Sequence, residues 1–432
     1  VRKIALLALA IALVPAAAQG FSAPKTPRLQ TLAHVDPGGG YSADIYVHKG
    51  FAYLSSWHGR ACPGLGVRVY DVHEPSHPRR VSTYADLRAN PSLGGSWTEK
   101  TIVQHVHTAA FTGELAVTSF QACGGRTSSS FRGFGLYDVS DPAHPRKLAL
   151  VRTDPRGSHE IWLQPVGKRA YVYTAIPYSE LESSPTYNAT TGQATVPGKP
   201  DFRIFDVSDP THPVQVGQWG AWKELGIYPR KGRGHFSFNY VHSVRTNAAG
   251  TLAYLSYWDL GTVILDIRNP QHPRYLGRTH FLPGEEGDAH STALAHNGKL
   301  LIETHETGLG KPTFWNIGNP RHPVRLSEFS PPKRLYGSAP PDTSGLTDSV
   351  HDPKVVGNRV YFSWYGLGVL LVDFSNPRHP RFLARFLPSS SRDPEQSFCQ
   401  GKRCSLTWGV YPVGNVVFAS DMIGGLWIFR AR

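Results

Sequence analysis

A nine-residue phrase recurs along the chain and restricts the folds open to it. Asp138-Val139-Ser140-Asp141-Pro142-Ala143-His144-Pro145-Arg146 is one copy, and variants occupy 71–79, 206–214, 266–274, 316–324 and 373–381. Six copies spaced about fifty to seventy residues apart mean one supersecondary unit repeated. Each follows a short β-type run, such as Gly135-Leu136-Tyr137 or Leu370-Leu371-Val372, and precedes another. The Asx-Pro-x-His-Pro core is turn chemistry, because proline fixes φ and the Asx side chain caps nearby backbone.

Each repeat reads as four strands. In the sixth these are 351–356, 359–364, 368–374 and 381–386, designated A to D. Four antiparallel strands repeated radially make a β-propeller blade. A seventh unit starts at Trp408 and stops at Arg432 without a strand D. Pro27-Arg28-Leu29-Gln30-Thr31-Leu32 resembles the strand D sequences of other repeats, so residues 27–35 are expected to complete blade seven and close the ring. The expectation is all-β: a single seven-bladed propeller over 27–432. Two stacked β-sandwiches, the competing arrangement, leave the split blade unexplained.

The first residues read as a targeting segment. Arg2-Lys3, an apolar run over 4–14 and the small residues Ala16-Ala17-Ala18 suggest a signal peptide over 1–18, then a short linker over 19–26. The run is too short to span a bilayer. With Val1 first, the reading is a bacterial protein started from a non-AUG codon and exported to a secreted, periplasmic or cell-surface location. Export permits disulfides, and the expected pairs are Cys62–Cys123 and Cys399–Cys404. The net charge of +13 comes from scattered basic residues without an aromatic-interleaved stripe, which argues against nucleic acid as partner.

The apolar strand C ending in Asp-Val or Asp-Ile, followed by Ser-Asp/Asn-Pro-x-His-Pro, resembles the LVIVD-repeat family of exported bacterial and archaeal β-propellers. The resemblance implies the fold over nearly all of the mature chain. It implies little about function, since a propeller scaffold serves many activities.

The 20 histidines fall into classes. His77, His144, His212, His272, His322 and His379 belong to the C–D turns, where a ring nitrogen is expected to serve turn backbone. His107, His159, His242, His290 and His351 are each expected to open strand A, the innermost strand, with Trp408 in the same place in blade seven. Five imidazoles would then face one mouth of the central channel. Neutral imidazole binds Zn, Cu and Fe, so these five are candidate ligands for one transition-metal ion. His105, His305, Glu160, Glu303 and Glu306 are secondary candidates, the carboxylates as orienting partners. A His ring hydrogen-bonded to strand B serines (Ser55, Ser119, Ser256, Ser363, Ser420) would recur equally well without metal.

Long loops are expected on that same face, at 85–106, 175–200, 219–241, 330–350 and 388–407, and long loops on a rigid scaffold carry function. They supply His58, His235, Trp57, Trp97 and Trp258. Phosphate loops, nucleophile elbows and zincin strings are missing from the sequence. The leading expectation is a monomeric binding or interaction module that takes an envelope protein, glycan or small-molecule ligand at the loop-rich face. The alternative is a metal-dependent redox enzyme using Cu, Fe or Zn.

Overall fold

The computed structural model describes residues 28–87, 90–123, 129–234, 236–308, 310–336, 348–399 and 402–432. The expected signal segment and linker, and His235, lie outside the described residues.

Seven antiparallel sheets carry the fold, each containing four strands in the order A-B-C-D, and nearly all regular structure is β. The inner strands are Tyr41–His48, Thr101–His107, Ile161–Val166, Ser243–Thr246, Ala289–Ala295, Pro353–Val356 and Thr407–Val413. Each touches the next in cyclic order, and the last touches the first, so they surround one axis. Blade seven is assembled from both ends of the described chain: Leu29–Val35 pairs with Gly425–Ala431. Arg28 N donates to Arg432 O at 2.8 Å and Arg432 N returns to Arg28 O at 3.1 Å, so no blade is left with an open edge there.

The repeated phrase builds the C–D turn identically in six blades. The Asx at the end of strand C accepts the N–H two residues on, as in Ser140 N to Asp138 Oδ1 at 3.1 Å and Arg268 N to Asp266 Oδ1 at 3.1 Å. The histidine N–H donates to the carbonyl three residues back, as in His144 to Asp141 at 3.1 Å and His379 to Asn376 at 3.0 Å. In two of the six turns the ring does a different job from the one expected. In His144 and His212 it meets the carboxylates of Asp141 (2.9 Å) and Asp209 (3.0 Å) rather than backbone. Every C–D pairing also carries one register shift near the turn, including that between the first and last strands. Such a bulge sharpens the local twist of the outer strand.

Strands B and C are buried on both faces, as in Arg359–Trp364 and Gly368–Asp373, so successive blades stack through apolar side chains. Phe134 of blade two meets Phe205 of blade three edge to face at 5.0 Å. The two expected disulfides are formed. Among the described residues no helix is long and apolar enough to cross a membrane.

Candidate functional site at the axial ring

Strand A enters each blade from the loop-rich face, so its first residues surround the axis there. His242 N donates to Ser256 O at 2.8 Å, and His351 N to Ser363 O at 2.9 Å, which places these residues at equivalent positions. His159 and His290 join them. The imidazoles follow one another in an arc: His159–His242 centroids are 4.3 Å apart, His242–His290 4.1 Å and His290–His351 4.0 Å. Trp408 continues the arc 4.6 Å from His351. Blade one has only Ala43 at this position, and Trp57 from the end of its strand B fills the gap, 6.4 Å from Trp408 and 6.3 Å from Trp97. Trp97 returns to His159 at 5.9 Å and completes a closed circuit of rings.

His107 is not part of it. Strand A of blade two runs over Thr101–His107, so His107 ends the strand instead of opening it. The cause is the turn that follows. Thr108 accepts the N–H groups of Ala110 and Phe111 on its hydroxyl, which closes a tight hairpin directly after His107. His107 bonds Thr112 and His105 bonds Glu114, both on the face with the short turns. Glu99 takes the ring position in blade two, and its Oε1 accepts Trp408 Nε1–H at 3.0 Å.

The ring histidines are neutral at physiological pH. Burial pushes His159 down to about 4 and His351 to about 3, and holds His242 and His290 well below the ordinary imidazole value. Their nitrogens are partly committed. His290 Nδ1 lies 3.0 Å from the His351 carbonyl, and His242 Nδ1 lies 3.3 Å from the His290 carbonyl. His159 Nε2 and His242 Nε2 stand 2.8 Å apart, so one carries a proton and the other accepts it. His290 Nε2 is buried and makes no hydrogen bond, 3.6 Å from Glu306 Oε2. Ligand atoms of His242, His290 and Glu306 all lie within 4.8 Å of one another. The other Glu306 oxygen accepts the Tyr365 hydroxyl at 2.5 Å, and burial raises this carboxyl to about 7.

The remaining secondary candidates are engaged elsewhere. Glu303 is buried in blade five, where it accepts Thr262 N at 2.8 Å, Thr279 Oγ1 at 2.6 Å and His305 Nε2 at 2.9 Å. It ties blade five to blade four. The strand B serines do not bond the imidazoles: Ser119, Ser363 and Ser420 accept the N–H one residue beyond the ring position, at Lys100, Asp352 and Gly409.

That next residue forms a second layer, which the sequence reading did not find. Lys100, only 1% exposed, lies 2.6 Å from Glu160, 3.2 Å from Asp44 and 3.8 Å from Asp352. Arg245 reaches Glu160 at 3.3 Å and Asp352 at 3.7 Å, while Lys354 also pairs with Asp352. Burial opposes charge on Lys100, but Asp44 and Glu160 outweigh it and hold the ammonium above its ordinary pKa. Burial likewise works against ionised Glu160, and Lys100 and Arg245 keep its pKa below the usual value. The sequence offers only a basic residue in or directly before strand A, at Lys100, Arg245 and Lys354, and no sign of its partners. Beyond this layer a cavity of about 310 Å³ opens between Tyr46, Trp162, Arg245, Lys354 and Tyr411.

Comparison with known proteins bears on the fold. The LVIVD repeat matches residues 197–219 and 246–280. No curated protein matches in sequence. Among solved structures, Raptor from Chaetomium thermophilum is similar at 13% identity and a TM-score of 0.56, over 93% of this chain and 29% of that one. This chain thus spans under a third of Raptor's length. The computationally designed Ika8 protein is similar at 10% identity and a TM-score of 0.48, over 93% and 99% of the two chains. The matched segments hold the C–D turns of blades three and four, and the same turn recurs in four further blades of a closed seven-membered ring. The chain is a seven-bladed β-propeller with LVIVD repeats matched over 197–219 and 246–280.

Proposed function

We propose that this protein is an exported binding module whose axial ring takes one transition-metal ion. His242, His290 and Glu306 are the primary ligands and His159 is the adjacent fourth donor. The observation that carries this reading is the convergence of two imidazoles and a carboxylate within 4.8 Å, with His290 Nε2 buried and making no hydrogen bond. A buried polar atom without a partner costs about 1–3 kcal/mol, which a bound ion would recover. The imidazoles are already neutral at neutral pH, so binding releases only the Glu306 proton, while the N–H between His159 and His242 shifts to the other ring nitrogen of His159, beside Gln121 Oε1. Imidazole with one carboxylate suits Zn, Cu or Fe rather than Ca or Mg. Disulfides on both covalent pairs support an oxidising compartment.

The test is elemental analysis of untagged protein, with zinc and copper titrated into chelator-stripped material. About one equivalent per chain is expected, reduced at least about tenfold in affinity in His242→Ala/His290→Ala. Substoichiometric metal, unchanged in that variant, would leave the ring a hydrogen-bonded structural device. The His159–His242 contact favours that second reading, since it satisfies two ring nitrogens without an ion.

A further inference from the structure

The loop-rich face carries a second feature, away from the ring histidines. The D–A loops entering blades four and five lie side by side and enclose a pocket of about 350 Å³. Lys231, Arg233, Arg278 and His280 line it, with Asn239 and Phe281. The guanidinium groups are held in place by carbonyl oxygens: Arg233 Nη1 donates to Leu282 O at 3.0 Å, and Arg278 Nη1 to Leu260 O at 2.6 Å. Among the described residues, Lys231, Arg233 and Arg278 form no ion pair, whereas arginines such as Arg146, Arg274 and Arg325 do.

Asp259 is the one carboxylate in the lining, and it does not neutralise them. Its Oδ2 accepts Arg233 N and Phe238 N, both at 2.9 Å, and its Oδ1 accepts Asp288 N at 3.3 Å. Burial raises this carboxyl to about 7, despite those bonds. Arg233 and Arg278 therefore repel one another across a half-buried pocket, and burial and that repulsion both depress Arg278. Pre-aimed guanidinium groups without a counter-charge are the recognition chemistry of oxyanions.

We propose that this pocket binds an oxyanion group, a phosphate or a sulfate of like charge, through Arg233, Arg278 and Lys231. The site stands independently of metal binding at the axial ring. The probe is inorganic phosphate, titrated calorimetrically at low salt into the full chain. Saturable binding of one phosphate is expected, weakened at least about tenfold in Arg233→Gln/Arg278→Gln. The control is Lys168→Gln/Lys299→Gln, which removes the same charge from two A–B turns on the opposite face. It should bind phosphate as the parent does. Non-saturating uptake, or equal loss in both variants, would overturn the site and leave only general attraction to a basic protein. If Arg233→Gln/Arg278→Gln does not fold, Lys231→Gln/Arg233→Gln leaves the Arg278–Leu260 contact intact and should still weaken binding. An unchanged affinity there would likewise overturn it. Tripolyphosphate distinguishes the source. A gain over phosphate that is lost with the arginines supports the site and assigns it to a polymer, and equal affinity supports it as a site for a small free anion.

Discussion

The two sets of histidine in this propeller sit at opposite ends of the radius and do opposite things. His144 and His212, on the C–D turns, expose more than four-fifths of their side chains to water. His242, His290 and His351, on the axis, are at most 5% exposed and pack against one another with tilted rings. At the rim the recurring residue is a backbone device: its N–H closes a turn that Asx and proline already shape. At the axis the recurring residue is a side-chain device, and its imidazole is kept neutral by burial. Recurrence alone therefore says nothing about which part of a residue matters; radial position decides it.

The strongest way to break this comparison is to remove what supports the axis. Lys100 is the cation shared by Asp44, Glu160 and Asp352, one residue beyond the ring. A buried ion cluster is weak evidence of net stabilisation, but breaking one strands its partners in a medium that solvates them poorly. Lys100→Ala should cost about 3–5 kcal/mol in urea unfolding. A loss no larger than that of an exposed lysine such as Lys168 would mean the layer is not a unit.

The ring itself should be visible in the pH dependence of stability. An unfolded imidazole titrates near about 6.5, so above that pH neither state is charged and the ring contributes nothing. Below it the unfolded chain gains protons that folded His351 refuses until about 3. Stability should then fall by up to about 1.4 kcal/mol per pH unit for each such imidazole. Glu306 acts with the opposite sign. Its folded value of about 7 favours the protonated fold, so its contribution is full at acid pH and is lost as pH rises through about 7. His351→Gln should flatten the acid limb by one group, and Glu306→Gln the limb near neutrality. Unfolding midpoints across pH 4–8, about half a unit apart, read both; parallel curves would show that burial does not hold these groups.

Much of this was legible in the sequence, for reasons that are physical. Turn chemistry is local, so the six copies of one phrase marked six of the seven blades, and Pro27-Arg28-Leu29 betrayed the split seventh by its likeness to other strand D segments. The axial ring was legible where one histidine stands at the start of strand A, as at 159, 242, 290 and 351. It was misread in blade two, where His105 and His107 both stand near a glycine at hairpin spacing. The hairpin there is longer, with strand B running over Thr112–Ala122. The strand B serine is the better register mark, because its hydroxyl grips the N–H after the ring position: Lys100 at Ser119 as Asp352 at Ser363. Aligning on Ser119 puts Glu99 in the ring. The ion layer was not legible, because pairing between residues as distant as Lys100, Glu160 and Asp352 follows only from closing the ring.

The smallest expected effect is at the rim, and it separates the parts of the recurring phrase. His144 is mostly exposed, and its N–H bond to Asp141 O survives any substitution other than proline. His144→Ala should leave the melting temperature within about 1 °C, as exposed changes usually do. Asp138, in the same turn, accepts Ser140 N at 3.1 Å and Arg146 Nη2 at 3.0 Å, binding both sides of the C–D corner. Asp138→Ala should therefore cost about 1 kcal/mol, more than its histidine neighbour although both recur equally. If the two variants melt alike, the turn is held by proline and the Asx-turn geometry has been overvalued. If His144→Ala is the costlier, the rim histidines have a side-chain role after all, and the contrast with the axis collapses.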